Sequence, residues 1–208
     1  MLHKETVQPS TLGLLEKLMQ IDEIKEFALL GGTSLALRWG HRISEDIDLF
    51  TNQTFDELAV TDAIANYFPN TIVLAQEKQT VRLFVENVKV ELIAPKRPYL
   101  YPIEIIENIR FFSVADAMAF KMNAIERRGS RKDFYDLHEA LQYYSLEELI
   151  HFYCQKFSTH NTIHLIKSIV YFADADQEPE FKSFKKETWE YIKQSIVKHH
   201  KKYLQTKI

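Results

Sequence analysis

The chain of 208 residues contains one cysteine, Cys154, so no intrachain disulfide can form and nothing points to an oxidising compartment. Cys154 reads as a small apolar residue within a helix. No uninterrupted apolar run is long enough to span a bilayer, and Met1-Leu2-His3-Lys4-Glu5 lacks the apolar centre of a secretory signal. The expectation is a cytoplasmic protein that does not engage a membrane. Neither charge sign dominates: the formal net charge is −3, so bulk charge does not announce a nucleic-acid binder. Internal repeats and low-complexity linkers are also missing. What remains is an ordinary soluble composition, 46% hydrophobic and 26% charged, with room for a compact core and an appended subdomain.

Hydrophobic periodicity divides the chain into two styles. Pro9-Ser10-Thr11 offers helix-start chemistry before Leu12, Leu14, Leu15, Leu18 and Met19 at helical spacing. Phe27 to Leu30 reads as a buried strand stopped by Gly31-Gly32, and Thr33 or Ser34 is placed to cap a following helix that Gly40 ends. Ile47 to Thr51 predicts a strand and Phe55 to Phe68 an amphipathic helix. Three strands follow, Thr71 to Ala75, Thr80 to Val85 and Val88 to Ala94, the last two joined by a hairpin turn at Glu86-Asn87, with a short strand around Ile103 to Ile106. From Ser113 the pattern is helical: Val114–Arg127, Lys132–Tyr143, Leu146–Phe157, Ile163–Phe172 and Phe184–Leu204. Strands interleaved with helices, then helices alone, predict an α/β (α+β) core over residues 1–112 and a helical subdomain over 113–208.

The chemistry concentrates in the first style. A glycine pair leading into a helix lets backbone N–H groups face a phosphate. Asp46 and Asp48 stand two apart in a β-prone run, so on a strand both carboxylates share a face and repel each other. A divalent cation resolves that conflict. In Val88-Lys89-Val90-Glu91-Leu92-Ile93, Lys89 and Glu91 occupy the polar face, and Glu91 is either a solvated strand residue or the third carboxylate of a metal site. Two-metal phosphoryl transfer draws such carboxylates from neighbouring strands. Phosphate cradle and carboxylates together read as a nucleotide-handling site.

Lys121 stands in an otherwise apolar-rich helix, where it either snorkels to water or pairs with triphosphate oxygens as a point charge; its place downstream of the acidic motif favours the second. Asp133 and Asp136 share a helix face, with Asp133 also placed as an N-terminal helix carboxylate and Asp136 placed to hold Arg131 or Lys132. Arg42 could neutralise phosphate or brace Asp46, and Ser34 could touch a β- or γ-phosphate or cap its helix.

Gly31-Gly32-Thr33-Ser34, the run Arg42-Ile43-Ser44-Glu45-Asp46-Ile47-Asp48-Leu49-Phe50, and Lys121 with Asp133-Phe134-Tyr135-Asp136-Leu137 resemble the AbiEii/AbiGii-type toxin nucleotidyltransferases of the polymerase-β-like superfamily, over roughly residues 25–140. The resemblance implies a mixed sheet with packed helices and Mg²⁺-dependent (or Mn²⁺-dependent) transfer of a nucleotide from an NTP to an acceptor hydroxyl. It also implies a place in abortive infection or a toxin–antitoxin pair, hence a cognate antitoxin. Asp46, Asp48, Glu91, Lys121 and Asp133 are then the catalytic set, with the metal on Asp46, Asp48 and Glu91. Gly31, Gly32, Thr33, Ser34, Arg42 and Lys121 are the nucleotide-binding set. The acceptor is an RNA such as tRNA, or a protein. Two rival functions share the fold, a non-catalytic partner-binding protein and a small-molecule (antibiotic) nucleotidyltransferase. The presence of all three carboxylates argues against the first, and the Lys121…Asp133 pattern against the second.

Basic residues gather at Arg127, Arg128, Arg131 and Lys132, a candidate hold on the backbone of an RNA acceptor. A second run, Lys198-His199-His200-Lys201-Lys202-Tyr203, reads as a solvated helix end or as an RNA or partner contact, and its adjacent histidines lack metal-ligand spacing.

Overall fold

A computed structural model describes residues 1–180 and 183–207. Phe181, Lys182 and Ile208, which the sequence assigns to the helical half, lie outside the described residues. The chain forms two compact units that divide between Ser113 and Val114.

The first unit is built on a seven-stranded mixed sheet in the order β3-β4-β5-β2-β1-β7-β6. Its strands are β1 (Ala28–Leu29), β2 (Ile47–Phe50), β3 (Ile72–Glu77), β4 (Thr80–Val85), β5 (Val88–Ile93), β6 (Glu104–Ile106) and β7 (Ile109–Phe111). β2 runs antiparallel to β1 and parallel to β5, while β1 runs parallel to β7. Alternation does the sorting: Val81, Leu83 and Val85 of β4, Val90 and Leu92 of β5, and Ile47 and Leu49 of β2 are fully buried. They share one core with Leu14, Leu15 and Leu18 of α1 (Pro9–Leu18) and with Val60 and Ile64 of α3 (Glu57–Tyr67). The intervening residues, Arg82, Lys89, Glu91, Asp48 and Phe50 among them, keep contact with solvent.

Glu86 and Asn87 both take positive φ, 48° and 66°, the backbone of the tight hairpin turn expected there. β7 has no counterpart among the strands expected from sequence, although Glu107 and Asn108 repeat the same device at 49° and 64° between β6 and β7. The strand expected over Phe27 to Leu30 is shorter: β1 is two residues, and α2 (Gly31–Trp39) starts at the glycine pair itself. Gly40, left-handed, closes α2 as expected.

The second unit contains α4 (Val114–Arg127), α5 (Arg131–Ala140), α6 (Leu146–Phe157), α7 (Ile163–Ser168), α8 (Ala173–Asp176) and α9 (Trp189–Gln205). The single helix expected over Ile163–Phe172 stops at Ser168, and four further residues form α8. α9 begins five residues later than expected, at Trp189, after the N-cap Thr188, whose side chain accepts from the Tyr191 N–H. Met118, Met122, Phe134, Leu137, Leu149, Leu165, Ile192 and Ile196 fill this unit's interior.

Candidate active site

β2 and β5 are neighbours in parallel register, and that register sets Asp48 directly opposite Glu91. Side chains so paired stand on one face of the sheet. Asp46, two residues before Asp48, is exposed just ahead of the strand. Glu91 is also the partner of Arg82 on β4, and its Oε1 lies 3.5 Å from Arg82 Nε and 2.5 Å from Lys89 Nζ. Glu91 therefore stands beside Asp48 and carries cations of its own. The Lys89 ammonium is held above its ordinary pKa by the hydrogen bond to Glu91, against burial, with the charges of Glu91, Asp46 and Asp48 adding to the effect. The three carboxylates thus each favour the charged form of one ammonium, that of Lys89. Among the described residues no group of three or more His, Cys, Asp and Glu side chains already closes to metal-binding distance. A cavity of about 440 Å³ opens beside Asp46, lined by Ser10, Thr11, Glu45, Phe84 and Lys89 among others.

The glycine pair is shaped by the motif downstream of it. Gly31 has φ +67°, and a Cβ there would overlap the Asp48 carboxylate. A Cβ on Gly32 would overlap the guanidinium of Arg42, which is buried and donates to the Ile43 carbonyl at 3.0 Å. Neither Thr33 nor Ser34 caps the helix, because α2 starts two residues before Thr33 and takes Leu30 as its N-cap without a side-chain bond. Thr33 Oγ1 instead shares a hydrogen bond with Ser44 Oγ at 2.8 Å and donates to the Asp46 carbonyl oxygen. That ties the first turn of α2 to the segment that delivers the aspartates. Ser34 Oγ is fully buried and meets no hydrogen-bond partner among the described residues.

In the helical unit, Lys121 does not snorkel. It is 9% exposed, and its Nζ lies 2.8 Å from Asp133 Oδ1 and 2.8 Å from Asp136 Oδ2. Asp136 accordingly holds Lys121, not Arg131 or Lys132 as the sequence suggested; the α4–α5 packing supplies a nearer cation. The other oxygen of Asp133 accepts from Ser130 Oγ at 2.8 Å and from the Ser130 N–H at 3.2 Å, a capping box at the start of α5. Burial pushes the Asp133 carboxyl up, but the charge and hydrogen bond of Lys121, helped by Arg128, hold it below the usual carboxylate range.

The first basic cluster is not one surface. Arg127, Arg128 and Lys132 are exposed, whereas Arg131 is buried and committed to protein. Its Nε donates to the Ala175 carbonyl at 3.0 Å, its Nη2 to the Asp176 carbonyl at 3.1 Å, and its guanidinium lies over the Trp189 ring. Those carbonyls end α8, where a cation is favoured, so Arg131 leaves the set of RNA-contact candidates. Sequence reasoning also passed over Arg82; its place on the polar face of a period-2 strand was the available signal.

The fold is that of the nucleotidyltransferases. The chain superposes on a putative nucleotidyltransferase from Helicobacter pylori with a TM-score of 0.53 at 19% identity, covering 96% of this chain and 98% of that one. It superposes on MenT4, a nucleotidyltransferase toxin from Mycobacterium tuberculosis, with a TM-score of 0.54 at 15% identity, over 92% and 86% of the two chains. The model of the family described as the nucleotidyl transferase AbiEii toxin of type IV toxin–antitoxin systems matches residues 13–205, and the protein belongs to that family. An uncharacterised protein of Aquifex aeolicus is 31% identical over 190 residues, 88% of this chain and 92% of its own. The expected fold class, family and enzyme class are thereby borne out.

Proposed function

We propose that the protein moves a nucleotide from an NTP to the hydroxyl of an acceptor, an RNA such as tRNA or a protein, as a divalent-metal-dependent toxin restrained by a cognate antitoxin. The observation that carries this reading is the register that sets Asp48 opposite Glu91 with Asp46 two residues upstream. These are hard oxygen donors of the kind Mg²⁺ or Mn²⁺ takes, each in contact with solvent, and Glu91 already draws in the cations of Arg82 and Lys89. Asp46, Asp48 and Glu91 would hold the metal, which when bound would activate the acceptor hydroxyl and neutralise the departing pyrophosphate.

To the protein's own residues the reading gives distinct tasks. Gly31 and Gly32 keep the first turn of α2 free of side chains, Thr33 holds that turn to the aspartate segment, and Arg42 sets positive charge against Gly32. Ser34 supplies a buried hydroxyl without a hydrogen-bond partner among the described residues, which a phosphate oxygen could meet only if the first turn of α2 opens to it. The cavity beside Asp46 falls within the size range of small-ligand sites. Lys121 is assigned to the triphosphate, for which it must exchange one of the two carboxylates, Asp133 and Asp136, that hold its ammonium in the free protein.

The test is transfer of label from each NTP in turn to total cellular RNA and to protein, with Mg²⁺, by the wild type and by Asp46→Asn and Asp48→Asn. Each substitution is expected to lower transfer by at least about a hundredfold. Stability should stay within about 0.5 kcal/mol of wild type, since neutralising one of several clustered like charges removes repulsion. Undiminished transfer by Asp48→Asn would overturn the reading.

A further inference from the structure

We propose that the lysine face of α9 in the second unit binds the phosphate backbone of a single-stranded RNA; this rests on the reading above in taking RNA as the acceptor. Val197, Lys198 and Lys201 fall at helical spacing along one side of α9, opposite the buried Ile192 and Ile196. With Phe172 and the flanking Lys193 and Lys202 they line a groove of about 800 Å³ that no carboxylate borders. Lys193 is paired with Asp176 at 2.9 Å and with Glu190 at 2.7 Å, so its charge is already answered. Lys198, Lys201 and Lys202 are exposed and meet no carboxylate among the described residues.

Three unanswered ammonium groups lie within little more than one turn of helix, while the chain as a whole carries an excess of negative charge. A polyanion laid along them meets all three at once and releases the small counterions that otherwise screen them. The floor between the lysines is apolar, Val197 and the ring of Phe172, and that ring is held by edge contacts to Phe134 at 4.9 Å and Trp189 at 5.8 Å. Lysines along a groove with a fixed aromatic ring in it suit a single strand, whose backbone takes the charge and whose bases can stack. A duplex would offer its phosphates but no free base. Arg131, counted from sequence among the RNA contacts, lies within the protein, so the exposed charge of this unit is richer on α9 than the order of residues suggested.

The experiment measures binding of a short fluorescent single-stranded RNA to the full chain, without NTP or divalent metal, from about 50 to about 200 mM salt. Three phosphate contacts correspond to a log–log slope of about −2, a weakening of about twentyfold over that range. The Lys198→Gln/Lys201→Gln/Lys202→Gln variant is expected to lose about that slope and to bind about tenfold more weakly at low salt. The corresponding triple arginine variant should bind as wild type does, and equal circular dichroism of the three proteins will show that the helix is kept. The proposal is overturned if wild type does not bind RNA, if its binding is flat with salt, or if the glutamine variant binds equally well. Polyglutamate held as tightly as RNA through the same lysines would make the occupant an acidic protein and overturn it too. Because no nucleotide or metal is present, failure here leaves the carboxylate site standing, and failure of that site leaves this result intact.

Discussion

At φ +67°, and with the Asp48 carboxylate where its Cβ would stand, Gly31 cannot be replaced without moving that carboxylate or the helix that starts there. Gly31→Ala is expected to destabilise by about 1–3 kcal/mol in urea unfolding. It should also lower nucleotide transfer more than that stability loss alone would at a temperature where the variant is fully folded. Stability and transfer both equal to wild type would mean that the contact between Gly31 and Asp48 does not matter. Gly32 belongs to the same argument from the other side, since Arg42 occupies the space its side chain would need. Arg42, ten residues after Gly32, and Asp48, seventeen after Gly31, are what the glycine pair is shaped to receive, beside any phosphate that comes to the turn.

Among the elements, α5 shows how one carboxylate serves two structures. Asp133 closes the capping box with Ser130 and neutralises Lys121 of α4. Its folded pKa lies below the unfolded value of about 3.9. The folded chain therefore binds that proton less readily than the unfolded chain. The stabilisation is fully present above the unfolded value and is lost as pH falls through the lower folded one. The stability difference between wild type and Asp133→Asn should thus be largest near neutral pH and shrink in acid, as followed by denaturant unfolding at a series of pH values. A difference that does not change with pH would remove the ion pair from the account. Lys121→Ala goes further, leaving Asp133 and Asp136 buried without their cation, at a cost of about 3–5 kcal/mol. Nucleotide affinity at this position is better read in Lys121→Arg, which keeps the charge.

For the molecule as a whole, the proposed metal site predicts a linkage between metal and stability. A metal that binds only the folded chain stabilises it by about 2.7 kcal/mol at a hundred times its dissociation constant. Mg²⁺ or Mn²⁺ should therefore raise the melting temperature of wild type and leave that of Asp48→Asn nearly unmoved. Equal shifts in both would place the metal elsewhere. The other whole-chain property is negative: among the described residues no helix is long and apolar enough to cross a membrane.

Local pattern was enough for most elements. β4 and the helices Val114–Arg127 and Leu146–Phe157 fall where periodicity put them, because a period of two or of 3.6 is written in consecutive residues. The Glu86-Asn87 turn was legible too, and Glu107-Asn108 carried the same signal unread, since the strands it joins are only three residues each. The acidic motif announced itself by spacing, although β2 starts at Ile47, so only Asp48 stands on the strand and Asp46 lies just ahead of it. Distance along the chain hid the rest. Asp48 meets Glu91 across 43 residues because β2 enters the sheet beside β5, a choice of strand order that no local window contains. Arg131 and Lys132 look alike in sequence, yet the packing of α8 buries one and leaves the other in water. Lys121 reads from sequence as a cation for the triphosphate, yet the start of α5 places two carboxylates on it. Residue type and spacing decide what a side chain can do; which of those things it does depends on the neighbours that the tertiary fold brings from elsewhere in the chain.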